Sequence, residues 1–195
     1  FDAEDVIVEA NRLLGGSCYE EAASLWSKHP VFTSALDEAR KTVGKGAGLW
    51  WESATHDLSA IVLFTNKSND PGRYLLWRKG RGIEPLAAMR PWLDSAQLMP
   101  TQARWIKARD GLPLLTYITR PMTTGMAMPA VVAIHGGPWT RDLGGFEADT
   151  QFLANRGYAV VQINFRGSTG LGRKTFEAGV GQFGRAMSDD IDDVV

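Results

Sequence analysis

The sequence has few of the residues that build disulfides and metal sites. Its 195 residues include one cysteine, Cys18, and three histidines. One cysteine cannot form an internal disulfide or a thiolate zinc site, so the redox compartment stays undetermined, with the cytoplasm favoured. Because the histidines are scattered and provide no ligand set, we predict neither a metal nor a cofactor.

Charge of one sign and long apolar runs are also missing. The formal net charge is −1, and the 21 Lys and Arg residues are spread along the chain, so we expect no nucleic-acid partner. The longest nearly apolar run, residues 126–134, is far too short to cross a bilayer, and we expect no membrane partner. The composition, 44% hydrophobic and 22% charged, is that of an ordinary globular protein.

The sequence lacks a G-x-S-x-G motif, the strand-to-helix turn that presents a nucleophilic serine. The nearest strings are centred on Ser17 and Ser168, and each lacks one of the two glycines. Ser17 follows a predicted helix, and Ser168 is flanked by turn-forming residues. We therefore predict that neither serine is a nucleophile, and that the chain holds no catalytic nucleophile, acid or base.

Both ends of the sequence look cut from a longer polypeptide. The first residue is Phe1 rather than Met, with no visible signal peptide, and residues 188–195 read as a helix that has just begun, with Ser188 as its N-cap. We therefore expect a fragment. The acidic run in this last segment is explained by carboxylates in a first helical turn, which the helix dipole favours.

The first half of the chain predicts two helices followed by short strands. Residues 3–14 have helical spacing of apolar side chains and end at Gly15, and residues 34–42 predict a second helix with Ser34 as N-cap. Four pieces rich in aromatic and β-branched residues follow, separated by turn residues, and match the size of one β-propeller blade. These predicted strands are residues 48–53, 60–65, 74–78 and 84–88.

The second half predicts an α/β fold. Residues 103–108 and 112–119 flank Asp110-Gly111, a two-residue hairpin signal, and residues 121–128 read as a loop. A strand, a helix and a second strand then predict a β-α-β unit with a parallel sheet. These three elements are residues 130–134, about 145–156 and 158–165. We place a domain boundary after residue 95, so that residues 1–95 form one domain and residues 96–195 form the other.

The string His135-Gly136-Gly137-Pro138-Trp139, which follows the predicted strand directly, is the main candidate functional motif. Two glycines after a strand turn the backbone sharply and leave N–H groups free, and the Gly137 N–H is the most plausible donor to a developing oxyanion. Losing one such donor costs about 100- to 1000-fold in rate. The alternative is a turn whose glycines serve only chain reversal, but the surrounding β-α-β pattern favours the functional interpretation.

His135 is not predicted to be a general base. A base needs a nucleophile and an orienting carboxylate, and in hydrolases of this layout the base follows the nucleophile in sequence. We expect His135 to have a structural role at the strand end, hydrogen-bonding the loop backbone. A second glycine-rich string follows the next predicted strand and contains Gly167, Gly170 and Gly172. The order of these glycines differs from that of a dinucleotide-binding fingerprint, so we predict a surface loop.

Three segments together resemble one known family. The strings AVVAIHGGPW, FEADTQFLANRGYAVVQINFRGSTGLGR and MSDDIDDVV are similar to the start of the catalytic domain of prolyl oligopeptidase family serine peptidases, in the acylaminoacyl-peptidase and dipeptidyl-aminopeptidase-like branch. Upstream, RPWLD and KARDGLPLLTYITRP resemble the seam between a β-propeller and an α/β-hydrolase domain. The resemblance implies that the chain is the N-terminal half of an α/β-hydrolase domain preceded by β-propeller-blade-like antiparallel strands.

The resemblance also implies a function. Enzymes of this family release short N-terminal peptides or acylated residues by Ser-Asp-His catalysis, so the expected partner is an oligopeptide substrate. Their oxyanion loop corresponds to His135, Gly136 and Gly137, with the Gly137 N–H as donor, whereas the triad would follow residue 195. The chain alone should therefore be inactive. Its half-sheet should leave an apolar strand edge that favours self-association.

Two alternatives stay open. HGG loops also occur in esterases and lipases, although the propeller-like pattern of residues 48–88 argues against such an enzyme. A non-catalytic binding module of the same fold would also lack a triad. The coding region beyond residue 195 discriminates between them, because a G-x-S-x-G motif there indicates an enzyme.

Overall fold

The computed structural model describes residues 3–9, 11–19, 21–122 and 127–195. Within these ranges the chain forms three β-sheets and four α-helices. Part of the loop predicted at residues 121–128 lies outside them, since residues 123–126 are not described.

The first sheet is antiparallel and consists of β1 (Ala3–Glu9), β2 (Arg12–Tyr19) and β3 (Ala23–Ser27). The helix predicted over residues 3–14 is therefore wrong. The run Val6-Ile7-Val8 is β-branched throughout, which favours a strand, and pairing with β2 decides the outcome. Asn11, with φ of 59°, lies in the turn between β1 and β2.

Gly15 and Gly16 lie inside β2 and do not end a helix. They pair with Ser27 and Trp26 of β3. A Cβ atom on Gly15 would lie 1.9 Å from the Trp26 carbonyl oxygen, so only glycine permits this approach of the two strands.

Helix α1 (Pro30–Val43) begins four residues before the predicted start, with His29 as N-cap. Pro30 occupies the first helical turn, where its fixed φ suits the helix and its missing N–H costs nothing. The predicted N-cap Ser34 therefore lies inside the helix. One face of α1 packs Phe32 and Leu36 into a core shared with the first and second sheets.

The second sheet confirms the four predicted strands. It is an antiparallel meander in the order β4-β5-β6-β7. Its strands contribute Leu49, Ile61, Leu63 and Trp77 to the first core. Their bounds are β4 (Gly48–Ala54), β5 (Ala60–Lys67), β6 (Asp70–Arg78) and β7 (Gly82–Ala88).

The third sheet confirms the antiparallel strand pair and the parallel strand pair. The connection between the antiparallel strands is residues 108–112, longer than the predicted two-residue turn at Asp110-Gly111. The order of this sheet is β10-β11-β9-β8, with β10 and β11 parallel and the other neighbours antiparallel. Helix α2 (Ala148–Ala154) connects β10 to β11 and is shorter than the predicted helix. The strands are β8 (Thr101–Lys107), β9 (Pro113–Thr119), β10 (Ala130–Ile134) and β11 (Ala159–Asn164).

Two short helices follow β11. Helix α3 (Arg173–Ala178) was not predicted, and α4 (Ala186–Asp192) begins two residues before the predicted N-cap Ser188, which lies in its first turn. Met187 of α4 packs with Leu114, Ile163 and Phe165 in a second core. This core is separate from the one that contains α1.

The buried side chain of Gln151, in α2, joins the two halves of the chain. Its amide nitrogen donates to the carbonyl oxygens of Ser68 and Met99, at 2.9 and 2.8 Å. Its amide oxygen accepts from the Met99 N–H at 2.7 Å. Satisfying all three backbone groups holds the third sheet against the second.

Candidate active site

Two loops meet at one edge of the third sheet. Because β10 and β11 are neighbouring parallel strands, the segments that follow them leave the sheet side by side. We call residues 135–147 the HGGPW loop and residues 165–172 the FRGST loop. All the candidate site residues predicted from the sequence lie in the HGGPW loop.

The His135 imidazole connects the two loops. Its Nε2 atom lies 3.0 Å from Ser168 Oγ, and its Nδ1 atom lies 2.9 Å from the Gly136 carbonyl oxygen. The ring stacks on Phe165 with a centroid distance of 4.4 Å and an interplanar angle of 16°. His135 therefore contacts loop backbone at the strand end, as the sequence predicts.

The His135–Ser168 pair has the separation of a base and its nucleophile, but its surroundings do not suit catalysis. Ser168 is fully buried, at 0% relative exposure, and its Oγ lies 2.7 Å from the Phe165 carbonyl oxygen. The second ring nitrogen of His135 faces a carbonyl group where a catalytic triad places a carboxylate. A substrate has no path to the Ser168 hydroxyl.

Gly137 has a backbone conformation that favours glycine. Its φ is +125°, and a Cβ atom there would lie 2.8 Å from the Trp139 nitrogen. Gly136 and Gly137 are both exposed. Among the described residues no group accepts a hydrogen bond from the Gly137 N–H. Such a free donor can bind an anionic oxygen, so the assignment of Gly137 as oxyanion donor stays a prediction with a suitable geometry.

Asn164, the last residue of β11, fixes the far arm of the HGGPW loop. Its side-chain oxygen accepts from the Asp142 N–H at 2.8 Å, and its side-chain nitrogen donates to the Asp142 carbonyl oxygen at 3.2 Å. Asn164 is fully buried, so both bonds are shielded from water. Sequence reasoning missed this residue, although a polar side chain at the end of an apolar strand is a usable signal.

Two more bonds join the loops. The Thr169 N–H donates to the Thr140 carbonyl oxygen at 3.0 Å, and the Arg141 guanidinium donates to the Gly170 carbonyl oxygen at 3.0 Å. The glycine-rich segment that the sequence predicts as a surface loop is thus a support for the HGGPW loop.

Two carboxyl groups near the site have altered proton affinity. Burial raises the pKa of Asp142, and the nearby His135 and Arg141 side chains oppose part of that rise. Burial also raises the pKa of Glu147, and the neighbouring Asp142 and Asp149 add to it. Asp142 Oδ2 is buried and has no hydrogen-bond partner among the described residues. A negative charge on this oxygen is therefore poorly stabilised, which agrees with the raised pKa of Asp142.

A cavity of about 700 Å³ opens beside the FRGST loop. It lies between that loop and the turn that joins β2 to β3. Its lining includes Glu21, Ser24, Trp105, Gly170 and Leu171. Across the described ranges, no three His, Cys, Asp or Glu side chains are grouped to hold a metal ion. Nor is any helix in those ranges long and apolar enough to cross a membrane.

Comparison with known proteins identifies relatives of this arrangement. Residues 145–195 match the sequence model of the prolyl oligopeptidase family. Dipeptidyl aminopeptidase BIII of Pseudoxanthomonas mexicana is 40% identical over 147 residues, which are 71% of this chain and 21% of that protein. Dipeptidyl peptidase family member 6 of Caenorhabditis elegans is 31% identical over 166 residues, 73% of this chain and 22% of that protein.

The fold has counterparts among solved structures. The acylaminoacyl peptidase of Pyrococcus horikoshii superposes with a TM-score of 0.71 at 20% identity, covering 98% of this chain and 30% of that one. This chain therefore spans about a fifth of the length of the two curated relatives and under a third of this structure. The shared sequence and the family match show that the chain belongs to the prolyl oligopeptidase family of serine peptidases.

Proposed function

We propose that the chain forms part of a serine peptidase that hydrolyses peptide bonds near the N-terminus of oligopeptides and releases dipeptides or acylated amino acids. One observation carries this proposal. Gly137 sits exposed at the carboxyl end of a parallel strand, and no described residue accepts its N–H. The names of the dipeptidyl aminopeptidase and dipeptidyl peptidase relatives indicate the reaction class.

The Gly137 N–H would act on the negative charge that develops during acyl transfer. A serine attacks the scissile carbonyl, and the oxygen becomes an anion that two N–H donors stabilise. Gly137 supplies one donor and the residue after the serine supplies the other. In this proposal the serine, aspartate and histidine belong to the part of the relatives' length that this chain does not span.

The proposal assigns the two halves of the chain to two domains. Residues 1–95 are the end of a β-propeller, and residues 96–195 are the N-terminal half of an α/β-hydrolase domain. The separation of the two apolar cores supports this division, because the first draws on residues 7–77 and the second on residues 108–187. The four-stranded meander β4–β7 has the form of one propeller blade.

Assays with the purified chain test the first consequence. We expect no turnover of chromogenic dipeptidyl or acetyl-aminoacyl substrates, because the chain lacks a nucleophile elbow. Serine-dependent hydrolysis by these 195 residues would overturn the assignment of the triad to another segment. Sequencing the coding region beyond residue 195 tests the second consequence. A G-x-S-x-G motif within about fifty residues supports the peptidase, and an immediate natural stop would overturn it.

Substitution of Gly137 in the longer polypeptide tests the donor. We expect Gly137→Ala to lower kcat by about 100- to 1000-fold, because its Cβ displaces the peptide that carries the donor. Gly157→Ala is the matched control, since Gly157 also has a positive φ, of 89°, but lies in open space after α2. Equal losses in the two variants would show backbone strain alone and would contradict the proposed role.

A further inference from the structure

A second concave site includes neither Gly137 nor any residue of the FRGST loop. It is a groove of about 380 Å³ between α2 and the connector that joins β7 to β8, residues 89–100. This volume falls within the range of about 300–1,000 Å³ that small-molecule sites occupy. We call it the connector groove. Its lining combines aromatic and charged side chains, namely Arg90, Trp92, Asp94, Phe146, Phe152 and Arg156.

Two arginine side chains of this groove lie over aromatic rings. Arg90 Cζ is 5.1 Å from the centroid of the Phe146 ring, and Arg156 Cζ is 3.5 Å from the centroid of the Phe152 ring. A guanidinium within about 6 Å of a ring centroid is attracted to the ring face. The Arg156 Nη1 atom also donates to the Phe152 carbonyl oxygen at 3.1 Å. These contacts hold each guanidinium at the groove wall, and stacking leaves N–H groups at its edge for a ligand.

The two guanidiniums are not neutralised by a paired carboxylate. Neither Arg90 nor Arg156 takes part in an ion pair among the described residues. Asp94, the acidic residue of the lining, accepts the Ala96 N–H through Oδ1 at 2.9 Å. The charge of Arg90 opposes part of the rise in the pKa of Glu147 without forming an ion pair with it. The groove therefore presents two guanidiniums that can each bind an anionic group.

Gln151 ties the two walls of the groove together. Its side-chain amide in α2 bonds both the N–H and the carbonyl oxygen of Met99, at the end of the connector. One turn further along α2, the Asn155 side-chain nitrogen donates to the Gln151 carbonyl oxygen at 3.0 Å. Because these bonds hold the walls before any ligand arrives, binding does not have to order them and loses little conformational entropy.

The side chains of the groove match one chemical class of ligand. The edge of a guanidinium fits a carboxylate, which it binds through two parallel hydrogen bonds. Trp92 and Phe152 are 75% and 54% exposed and provide apolar faces for a ring. We propose that the connector groove binds an aromatic carboxylate, whose charge the two guanidiniums hold while the exposed aromatic side chains pack against its ring. This site is separate from the acyl-transfer chemistry and does not depend on the role of Gly137.

Calorimetric titration of the 195-residue chain with matched probes tests the ligand class. N-acetyl-L-phenylalanine carries the carboxylate, and N-acetyl-L-phenylalaninamide has the same shape without the charge. We expect saturable one-site binding of the acid and about 10- to 100-fold weaker binding of the amide, because hydrogen bonds to charged groups are the stronger ones. Equal binding of acid and amide, or no saturable binding of the acid, would overturn the proposal. Titration with 3-phenylpropionate then identifies the source: binding as tight as that of N-acetyl-L-phenylalanine indicates a free aromatic acid, and weaker binding indicates the carboxyl end of a peptide.

Substitution of the two arginines tests the residues. We expect Arg90→Gln and Arg156→Gln each to raise the Kd for N-acetyl-L-phenylalanine by about 10-fold or more. Arg156→Lys keeps the charge but loses the planar fork, so its Kd should lie between those of wild type and Arg156→Gln. Arg81→Gln is the matched control and should leave the Kd unchanged, because Arg81 is an exposed arginine at the opposite end of β7 from Arg90. An unchanged Kd in both groove variants, with thermal unfolding showing that each is folded, would refute the proposal.

Nuclear magnetic resonance of the ¹⁵N-labelled chain locates the bound acid. We expect the Trp92 indole N–H signal to move during the titration and that of Trp105, which is 52% exposed on β8, to stay in place. A signal that moves at Trp105 and not at Trp92 would overturn the proposal. So would binding that is absent from the longer polypeptide, because the groove would then be covered in the whole protein. A longer polypeptide that binds the acid but has no peptidase activity would refute the proposed function and support this site.

Discussion

Arg166 and Asp190 form a two-point ion pair inside the protein. The Arg166 Nε atom donates to Asp190 Oδ2 at 2.9 Å, and Nη2 donates to Asp190 Oδ1 at 2.7 Å. Asp190 is fully buried, and its Oδ2 also accepts from the Arg166 N–H at 2.8 Å. The hydrogen bonds that the guanidinium donates to the carboxylates of Asp190 and Asp110 raise the pKa of Arg166 further above its usual range. The pair therefore anchors the FRGST loop to α4.

Replacing Asp190 should destabilise the chain strongly. Asp190→Asn keeps the size of the side chain but removes the buried counter-charge of Arg166 and leaves only the half-exposed Asp110 as its ionic partner. We expect a cost of up to about 3–5 kcal/mol, the loss that follows when a buried pair is broken. Asp189→Asn is the control, because the Arg109–Asp189 pair has exposed side chains, at 54% and 46%, and is worth about 0–1 kcal/mol. Urea unfolding measures both. If the two variants lost similar amounts of unfolding free energy, the buried Arg166–Asp190 pair would not contribute more to stability than the exposed pair.

A close backbone contact holds α3 against the FRGST loop. A Cβ atom on Gly179 would lie 2.5 Å from Gly167 Cα and 2.7 Å from its nitrogen. Because backbone cannot move aside as a side chain can, we expect Gly179→Ala to cost about 1–3 kcal/mol in unfolding free energy. Gly136→Ala, where a Cβ meets nothing within 4 Å, should change it by less than about 0.5 kcal/mol. Thermal unfolding that ranks Gly136→Ala as the more damaging change would refute this account.

Local sequence signals predicted one part of the fold and failed in another. The strands of residues 48–88 are recognisable because aromatic and β-branched runs alternate with turn residues. The helical spacing of Val6, Ala10, Leu13 and Leu14 predicts a helix over residues 3–14, but the pairing of β1 with β2 outweighs that periodicity. Helix α3 has no capping side-chain hydrogen bond and only six residues, so the sequence carries little trace of it.

Of the two loops that form the candidate site, only the HGGPW loop could be predicted from its own sequence. Two glycines after an apolar strand identify the HGGPW loop. The partners of that loop, Asn164 and Ser168, depend on β11 lying beside β10, which is a property of the sheet order. The pairs of Arg166 with Asp190 and of Arg109 with Asp189 and Asp193 depend on the same tertiary arrangement. The acidic run is therefore explained by arginine partners more than by the helix dipole.

The outer strand β10 should make the isolated chain associate with itself. Among the described residues β10 pairs only with β11, and Ile134 at its end is 53% exposed. We expect oligomers in light scattering, and a shift to monomer in Ile134→Lys. Phe183→Lys is the control, because Phe183 is 81% exposed but lies outside any strand. A monodisperse wild-type monomer would contradict this prediction.

Gly144 separates the HGGPW loop from the first half of the chain. A Cβ atom there would lie 2.9 Å from the Glu21 carbonyl oxygen and 2.9 Å from the Tyr117 ring. We expect Gly144→Ala to cost about 1–3 kcal/mol. In Gly145→Ala the Cβ would instead meet the end of the Asn66 side chain, at 2.8 Å, which can turn away. Thermal unfolding should therefore show a smaller loss for Gly145→Ala, and the opposite ranking would be inconsistent with this contact.

Acid should weaken the turn between β4 and β5 through Asp57. Hydrogen bonds from the Ser59 N–H and hydroxyl, with a further bond from Thr55, lower the pKa of Asp57 from 3.8 to about 2. Because the folded pKa is depressed, the ionised group stabilises the fold fully above pH 4 and loses that effect as pH falls towards about 2. Asp57→Asn keeps a side-chain oxygen for Ser59 but cannot titrate, so its Tm should fall less steeply between about pH 4 and 2.

The control for Asp57 is Glu52→Gln, which removes an exposed carboxylate of β4. Its Tm should follow the wild-type curve through the same acid range. Hydrogen bonds with Arg166 and with the Arg109 backbone lower the pKa values of Asp110 and Asp193, respectively. Both variants keep these two carboxyl groups, so their contribution to acid sensitivity is the same in each. If Asp57→Asn and Glu52→Gln gave parallel Tm curves, the Ser59 bonds would not be the source of the depressed pKa.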